Sequence, residues 1–258
     1  MPTSRSMVTF WFDGVCSNDL GIVVSSFPVF SGAEPKVTKY SVPGRNGDLT
    51  YWDGTYKNVS VELKCYIADV SKIETALTAV NDWLADIGYK KLVISTELGR
   101  YRMARITNAA EIGIMMGVIA PFTIKLDCKP QRFYDDETPR VFGTSGTIVN
   151  PTRFNALPLL RCQMASSAES IAGVEFIHFL NALGESKVGL TLSSRPFYID
   201  IDLESRRAVT NTGENVPLRL ESDYPMLCPG ETSFSTSNSL AQVEWFSSIT
   251  IFPRWWTL

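Results

Sequence analysis

Three carboxylates spaced two apart, Asp200, Asp202 and Glu204 in the segment FYIDIDLE, have the residue types for cation binding or acid–base work. On a strand, that spacing places all three on one face. There they can ligate Ca²⁺ or act as the paired carboxyls of a glycan hydrolase. The intervening Phe197, Ile199, Ile201 and Leu203 give a simpler reading, with apolar side chains toward a core and acids toward water. Alternation alone produces that pattern, so no catalytic role is assigned to the acids. The chain has one histidine, His178 in VEFIHFL, and a lone histidine in an apolar strand is expected to be a partnered structural residue. Nucleophile-elbow, zincin, P-loop and dinucleotide-binding motifs are absent from the sequence. Asp135-Asp136-Glu137 has no histidine or fourth ligand nearby and reads as a solvated linker. Neither a metal site, a cofactor site nor a catalytic residue is expected.

Binding chemistry has a second candidate near the C-terminus. Trp245, Trp255 and Trp256 lie beside Arg254, and tryptophan faces can stack on sugar rings. The closing PRWWTL reads equally as a strand end pinned into a core. Cysteines at 16, 65, 128, 162 and 228 are odd in number and form no C-x-x-C, so buried free thiols are expected rather than zinc or disulfides. Net charge is −3, and a cut at Pro139 leaves 15 basic against 16 acidic residues before it and 9 against 11 after. With neither part basic, a nucleic-acid-gripping groove is not expected. The N-terminal MPTSRSMVTFWFDGV has no long apolar stretch, and the longest apolar run, Ile112 to Phe122, falls short of the roughly 20 residues of a membrane span.

The elements that must carry these residues are mostly strands. Val42 to Leu63 holds two turn signals, Asn46-Gly47 and Asp53-Gly54, with Tyr51, Trp52 and Tyr56 on the returning arm. Val59, Val61, Leu63, Cys65 and Ile67 then alternate with polar residues, which is a strand with one buried face. This predicts a hairpin arm over about 42–58 projecting from a sheet with its own core. A helix is predicted over about 70–87, from a Ser71–Glu74 capping box, a stripe of Ile73, Leu77, Val80, Leu84 and Ile87, and a closing Gly88. Further strands are expected at Phe10 to Phe12, Ile22 to Val24, Val37 to Val42, Lys91 to Ser95, Tyr101 to Ile106 and Pro121 to Cys128. The run Ile112 to Ala120 reads as a buried strand or as a subunit contact. Lys129 to Thr138, with Pro130 and Pro139 at its ends, is the expected domain boundary, giving domains 1–138 and 139–258. Beyond it, strands at Pro158 to Cys162, Val188 to Leu192, Phe197 to Leu203, Val216 to Leu220 and Val243 to Ile251 suggest a β-sandwich.

Several of these segments, in order, resemble one family. FDGV at Phe12 to Val15, GIVV at Gly21 to Val24, VPGRNGDLTYWDGTYKN, WLADIGYKKLVIST followed by YRMARITN, NPTRFNALPLLRC, FYIDIDLESRRAV, YPMLCPGE and IFPRWWTL look like motifs of the distal tail (Dit) proteins of long-tailed, non-contractile bacteriophages. The segment Ser166 to Lys187 carries no such motif. The resemblance implies a mainly β chain of two β-sandwich domains, the first with one packed helix and the hairpin arm, the second galectin-like. It also implies a homohexameric ring at the tail tip of the virion that joins the tail tube to the tip hub, with DNA passing through the lumen unbound. Pro43, Gly44, Arg45, Asn46, Gly47, Asp48, Tyr51, Trp52 and Tyr56 would then form the arm that contacts the neighbouring subunit. Other partners it implies are receptor-binding or side-fibre proteins, and no membrane insertion. Larger relatives carry inserted carbohydrate-binding modules, for which residues 150–258 leave no room. A carbohydrate-binding adhesin acting through the second domain, by way of Trp245, Trp255 and Trp256, is the alternative.

Overall fold

The computed structural model describes residues 8–67, 69–108, 120–135, 138–166, 173–221, 223–240 and 245–258. The apolar run at 112–119 and the acids at 136 and 137 lie outside them. The chain divides into two compact units, Met1–Asp135 with Leu258, and Asp136–Thr257.

The first unit is built from β1 (Phe10–Phe12), β2 (Val15–Cys16), β3 (Ile22–Val24), β4 (Pro35–Tyr40), β5 (Leu49–Tyr56), β6 (Val59–Ile67), helix α1 (Ile73–Ala85), β7 (Lys90–Ile94), β8 (Arg100–Ile106) and β9 (Ala120–Tyr134). All strands but β4 and β5 join one antiparallel sheet, in the order β2-β1-β7-β8-β9-β6-β3. Val8 bridges Val24 of the far strand, so the sheet curls round until its ends meet. Its inner face encloses one core, to which β6 contributes Val59, Val61, Leu63, Cys65 and Ile67 while Ser60, Glu62 and Lys64 face water. The period of two seen in the sequence is thus a true one-sided strand.

Helix α1 packs Ala76 and Val80 into this core and sets Trp83 edge-on to Phe12, with ring centroids 5.3 Å apart. It is shorter than the sequence suggests. Residues Val70–Lys72 form a 3-10 turn, and Ser71 does not cap the helix: Asp69 accepts both the backbone N–H and the hydroxyl of Ser71 through Oδ1. An aspartate two residues upstream captures the hydroxyl that the capping box required. The end differs as well. Asp86 leaves the helix in an extended conformation and accepts the Gly88 N–H, Gly88 has no positive φ, and Ile87 is exposed beyond the stripe.

Strand β9 runs through the expected linker as far as Tyr134. Its pairing with β8 shifts between Arg102↔Arg132 and Ala104↔Cys128, leaving surplus residues on β9 around Pro130. A bulge holds a proline inside a strand because no ladder N–H is needed there.

The second unit is a β-sandwich. One sheet has the order β10-β20-β12-β15-β16-β17 and the other β11-β19-β13-β14-β18. The strands are β10 (Arg140–Phe142), β11 (Ser145–Asn150), β12 (Leu159–Met164), β13 (Glu175–Asn181), β14 (Gly184–Leu190), β15 (Tyr198–Asp202), β16 (Arg207–Thr210), β17 (Asn215–Val216), β18 (Leu218–Leu220), β19 (Gly230–Asn238) and β20 (Phe246–Phe252). Between the sheets lie Leu160, Cys162, Ile199, Ile201 and Ile251 from one and Ile177, Phe179, Val188 and Phe234 from the other. All five cysteines are free, four of them buried.

Candidate functional site

Strands β4 and β5 pair only with each other, in a two-stranded sheet of their own. The arm therefore spans Pro35–Tyr56, more than the sequence suggests at its start. Register puts Tyr40 opposite Leu49 and Thr38 opposite Tyr51 on one face, and Val37 opposite Trp52 on the other. Every residue of β4, and all of β5 but Tyr56, is exposed, with Tyr51 at 59% and Trp52 at 47%. Both faces of the ribbon thus carry large apolar side chains into water. An isolated two-stranded ribbon is marginal on its own, and its outer edges leave backbone N–H and C=O groups unpaired.

The two turn signals have different fates. Residues 41–48, which include Pro43, Arg45, Asn46 and Asp48, form the tip, where Gly44 and Gly47 both take positive φ near 80° and the Arg45 N–H reaches the Val42 carbonyl. Asp53-Gly54 makes no turn. The pairing jumps from Val37↔Trp52 to Pro35↔Tyr56, so these residues bulge out of β5. Asp53 Oδ1 accepts the N–H and hydroxyl of Thr55, Gly54 supplies a φ of 84°, and the Trp52 indole N–H donates to the Thr55 carbonyl at 2.8 Å. Trp52 and Tyr56 meet edge to face at 5.5 Å. The same aspartate–glycine chemistry that closes a turn here kinks a strand and fixes an indole.

The base of the arm is tied down. Lys57 donates its backbone N–H to the Glu34 carbonyl and its ammonium to the Glu34 carboxylate at 3.1 Å. Asn58 then donates to Asp127, which also accepts the Tyr89 hydroxyl at 2.7 Å and Arg105 Nε at 3.1 Å. Burial works to raise the Asp127 carboxyl, but these donors outweigh it and hold it below the usual carboxylate range.

The tryptophans do not form a platform. Trp245 and Trp255 are 1% and 5% exposed within the chain, so neither offers a face to a sugar. Trp256 is partly exposed, but its ring stacks on Phe154 at 4.3 Å and its indole N–H donates to the Asn155 carbonyl. Sequence cannot separate a tryptophan that fills a sandwich from one that caps it.

The three acids face outward as alternation requires, and each has an arginine. Arg161 grips Asp200 through two bonds of 2.7 and 2.8 Å, and Arg254 reaches Asp202 at 2.6 Å and Glu204 at 3.5 Å. Ile199, Ile201 and Leu203 are buried, whereas Phe197 precedes the strand and is exposed, contrary to its place in the pattern. Among the described residues no cluster of histidine, cysteine and acidic groups could hold a metal ion, and no helix is long and apolar enough to cross a membrane.

The architecture is shared with solved structures. Over 95% of this chain and 97% of the other, it superposes on the Dit protein of SPP1, described as a paradigm of the hub adsorption apparatus of phages infecting Gram-positive bacteria, with a TM-score of 0.66 and 18% identity. The chain has the Dit fold. A second similar structure is that of the phage P2 baseplate in its activated conformation with Ca, at a TM-score of 0.54 and 11% identity over 96% of this chain. No family model and no curated protein matches the sequence. The likeness extends over both units.

Proposed function

We propose that this chain is a non-enzymatic structural component of a bacteriophage tail tip, a subunit of a homohexameric ring that joins the tail tube to the tip hub. The observation that carries the reading is the arm: an ordered ribbon with apolar side chains on both faces and no core of its own. Within a chain of Dit fold, the occupant that satisfies it is the neighbouring copy. The contact is heterologous, one copy's arm on another copy's body, and such contacts close into rings when the rotation is right. Arm residues Pro43, Gly44, Arg45, Asn46, Gly47, Asp48, Tyr51, Trp52 and Tyr56 form the reaching surface. The acidic charge balance suits a lumen that lets DNA pass without gripping it. Receptor-binding or side-fibre proteins would attach to the second unit, and the protein's place is the virion.

Light scattering on the purified protein tests the assembly, with an expected mass of six copies of the 28.7 kDa chain, about 172 kDa. Because Pro35 pairs directly with Tyr56, residues 36–55 can be replaced by a short Gly-Ser link without straining the first unit. That variant should fold and remain a monomer. A ring of unchanged mass would remove the arm from the account, and a native protein that stays monomeric at all concentrations would remove the ring.

A further inference from the structure

We propose that Asn46-Gly47 at the tip of the arm is a self-modification site, where Asn46 converts through a cyclic succinimide to aspartate and isoaspartate, and that a subunit so changed loses its place in the ring. The second half rests on the arm's contact with a neighbouring copy; the first half does not. Asn46 is the one asparagine of the sequence that glycine follows, so the attacking nitrogen has no side chain crowding it. Residues 41–50 are all exposed. Within the tip the Arg45 N–H is engaged by the Val42 carbonyl. Among the described residues, neither the Asn46 side-chain amide nor the Gly47 N–H has a hydrogen-bond partner. A side chain at Gly47 would meet nothing within 4 Å, so solvent base reaches the backbone nitrogen freely.

The reaction needs only water. The Gly47 nitrogen gives its proton to solvent base and attacks Asn46 Cγ; the N–Cγ bond forms, the Cγ–Nδ2 bond breaks, and ammonia leaves. Water then opens the ring. Attack at Cγ yields aspartate on an unchanged backbone, and attack at the main-chain carbonyl carbon of Asn46 reroutes the chain through Cβ and Cγ as isoaspartate. Nothing is oxidised or reduced. The reacting atoms belong to adjacent residues, so the rate depends on how freely the backbone reaches the attack geometry. Other sites are held back. Asp13-Gly14 and Asp53-Gly54 share the glycine, but an ionised carboxylate is a poor electrophile. Asp13 pairs with Lys90 at 3.5 Å, and the Thr55 hydroxyl and N–H hold the Asp53 carboxyl below its usual range. Asn58, Asn181 and Asn215 lack the glycine and are engaged with Asp127, the Met226 carbonyl and Arg207. Either product alters the arm. Aspartate sets a second negative charge close to Asp48, and isoaspartate adds a carbon to the main chain inside the short loop between the paired Tyr40 and Leu49.

Peptide mapping by mass spectrometry, on the full chain diluted to monomers and incubated at pH 8, reads each asparagine separately. Asn46 should convert faster than every other asparagine, with isoaspartate among its products. Its rate should lie within about fivefold of the rate in urea, because an exposed tip has little local stability to lose. Asn46→Gln, which must close a larger ring, should cut conversion at this position at least about tenfold. Isoaspartate at position 53 should form only in urea. If Asn46 survives in the folded monomer while converting in urea, or yields aspartate alone, the site is wrong. The link to assembly has its own readout. Chains held in the ring should convert more slowly than monomers, and isoaspartate in an aged sample should concentrate in the monomer fraction on size exclusion. Conversion in the monomer with changed chains spread evenly between ring and monomer would overturn that link and leave the chemistry standing.

Discussion

Replacing Trp52 by alanine should break the ring and spare the fold. Among the described residues the indole meets its own arm, through Tyr56 and the Thr55 carbonyl, and no arm residue belongs to the core of the first unit. Truncation there should change the stability of the isolated chain by no more than about 0.5 kcal/mol, the usual effect at a surface position. In an assembled ring the half-exposed indole becomes buried. Full burial of a large apolar side chain is worth about 1.5–3 kcal/mol. Taking about 2 kcal/mol, each subunit contact weakens about 30-fold, and every contact of a closed ring carries the same loss. Light scattering over a dilution series should place half-assembly at a concentration at least about 30-fold higher for the variant. Thermal unfolding of both proteins, diluted to monomers, should coincide. Unchanged assembly would mean that the indole is not an anchor. A monomer melting several degrees lower would mean that Trp52 supports the first unit beyond its contacts with Tyr56 and Thr55.

Other perturbations test the packing beneath the arm. Asp127→Asn should cost about 1 kcal/mol at pH 7, since three donors lose a charged acceptor, and should lower the melting temperature by about 2–4 °C. Because the native carboxyl titrates below its unfolded value, its contribution is complete above about pH 4 and fades as pH falls through the native value. The difference between the two proteins in thermal melts should therefore close in acid, and a gap that persists unchanged at pH 2 would contradict the assignment. Burial raises the thiols of Cys65 and Cys128 to about 12 and pushes Cys162 and Cys228 up as well. A thiol reagent at pH 8 should modify Cys16 first and the other four only on unfolding; two or more fast-reacting thiols in the native protein would refute this.

What the sequence made legible was periodic. β6 and β15 were readable because one face of each is buried and a period of two follows directly. β19 was not, since GETSFSTSN has one large apolar residue and the hydroxyls that mark it resemble a loop. Its alternation of exposed Ser233, Ser235 and Ser237 with buried Thr232 and Phe234 is the mark of a one-sided strand. Local chemistry proved ambiguous where one residue pair serves two geometries. Asp53-Gly54 forms a bulge because Trp52 and Tyr56 keep the strand paired on both sides of it, while Asn46-Gly47, without such neighbours, lies in the tip. Pro130 reads as a breaker, yet the bulge in β9 accommodates it. The arm itself was visible as an excess of aromatics, but its independence from the sheet became clear only from pairing. Trp245 and Trp255 show the limit, because composition alone cannot say which side of a strand faces a second sheet.

The central claim, an arm-closed ring, is tested most directly by negative-stain microscopy of the purified native protein, which reports symmetry and lumen together. The account predicts six-fold rings with an open centre, absent when residues 36–55 are replaced by the Gly-Ser link. Uniform single particles of monomer size, or rings that survive the replacement, would contradict it.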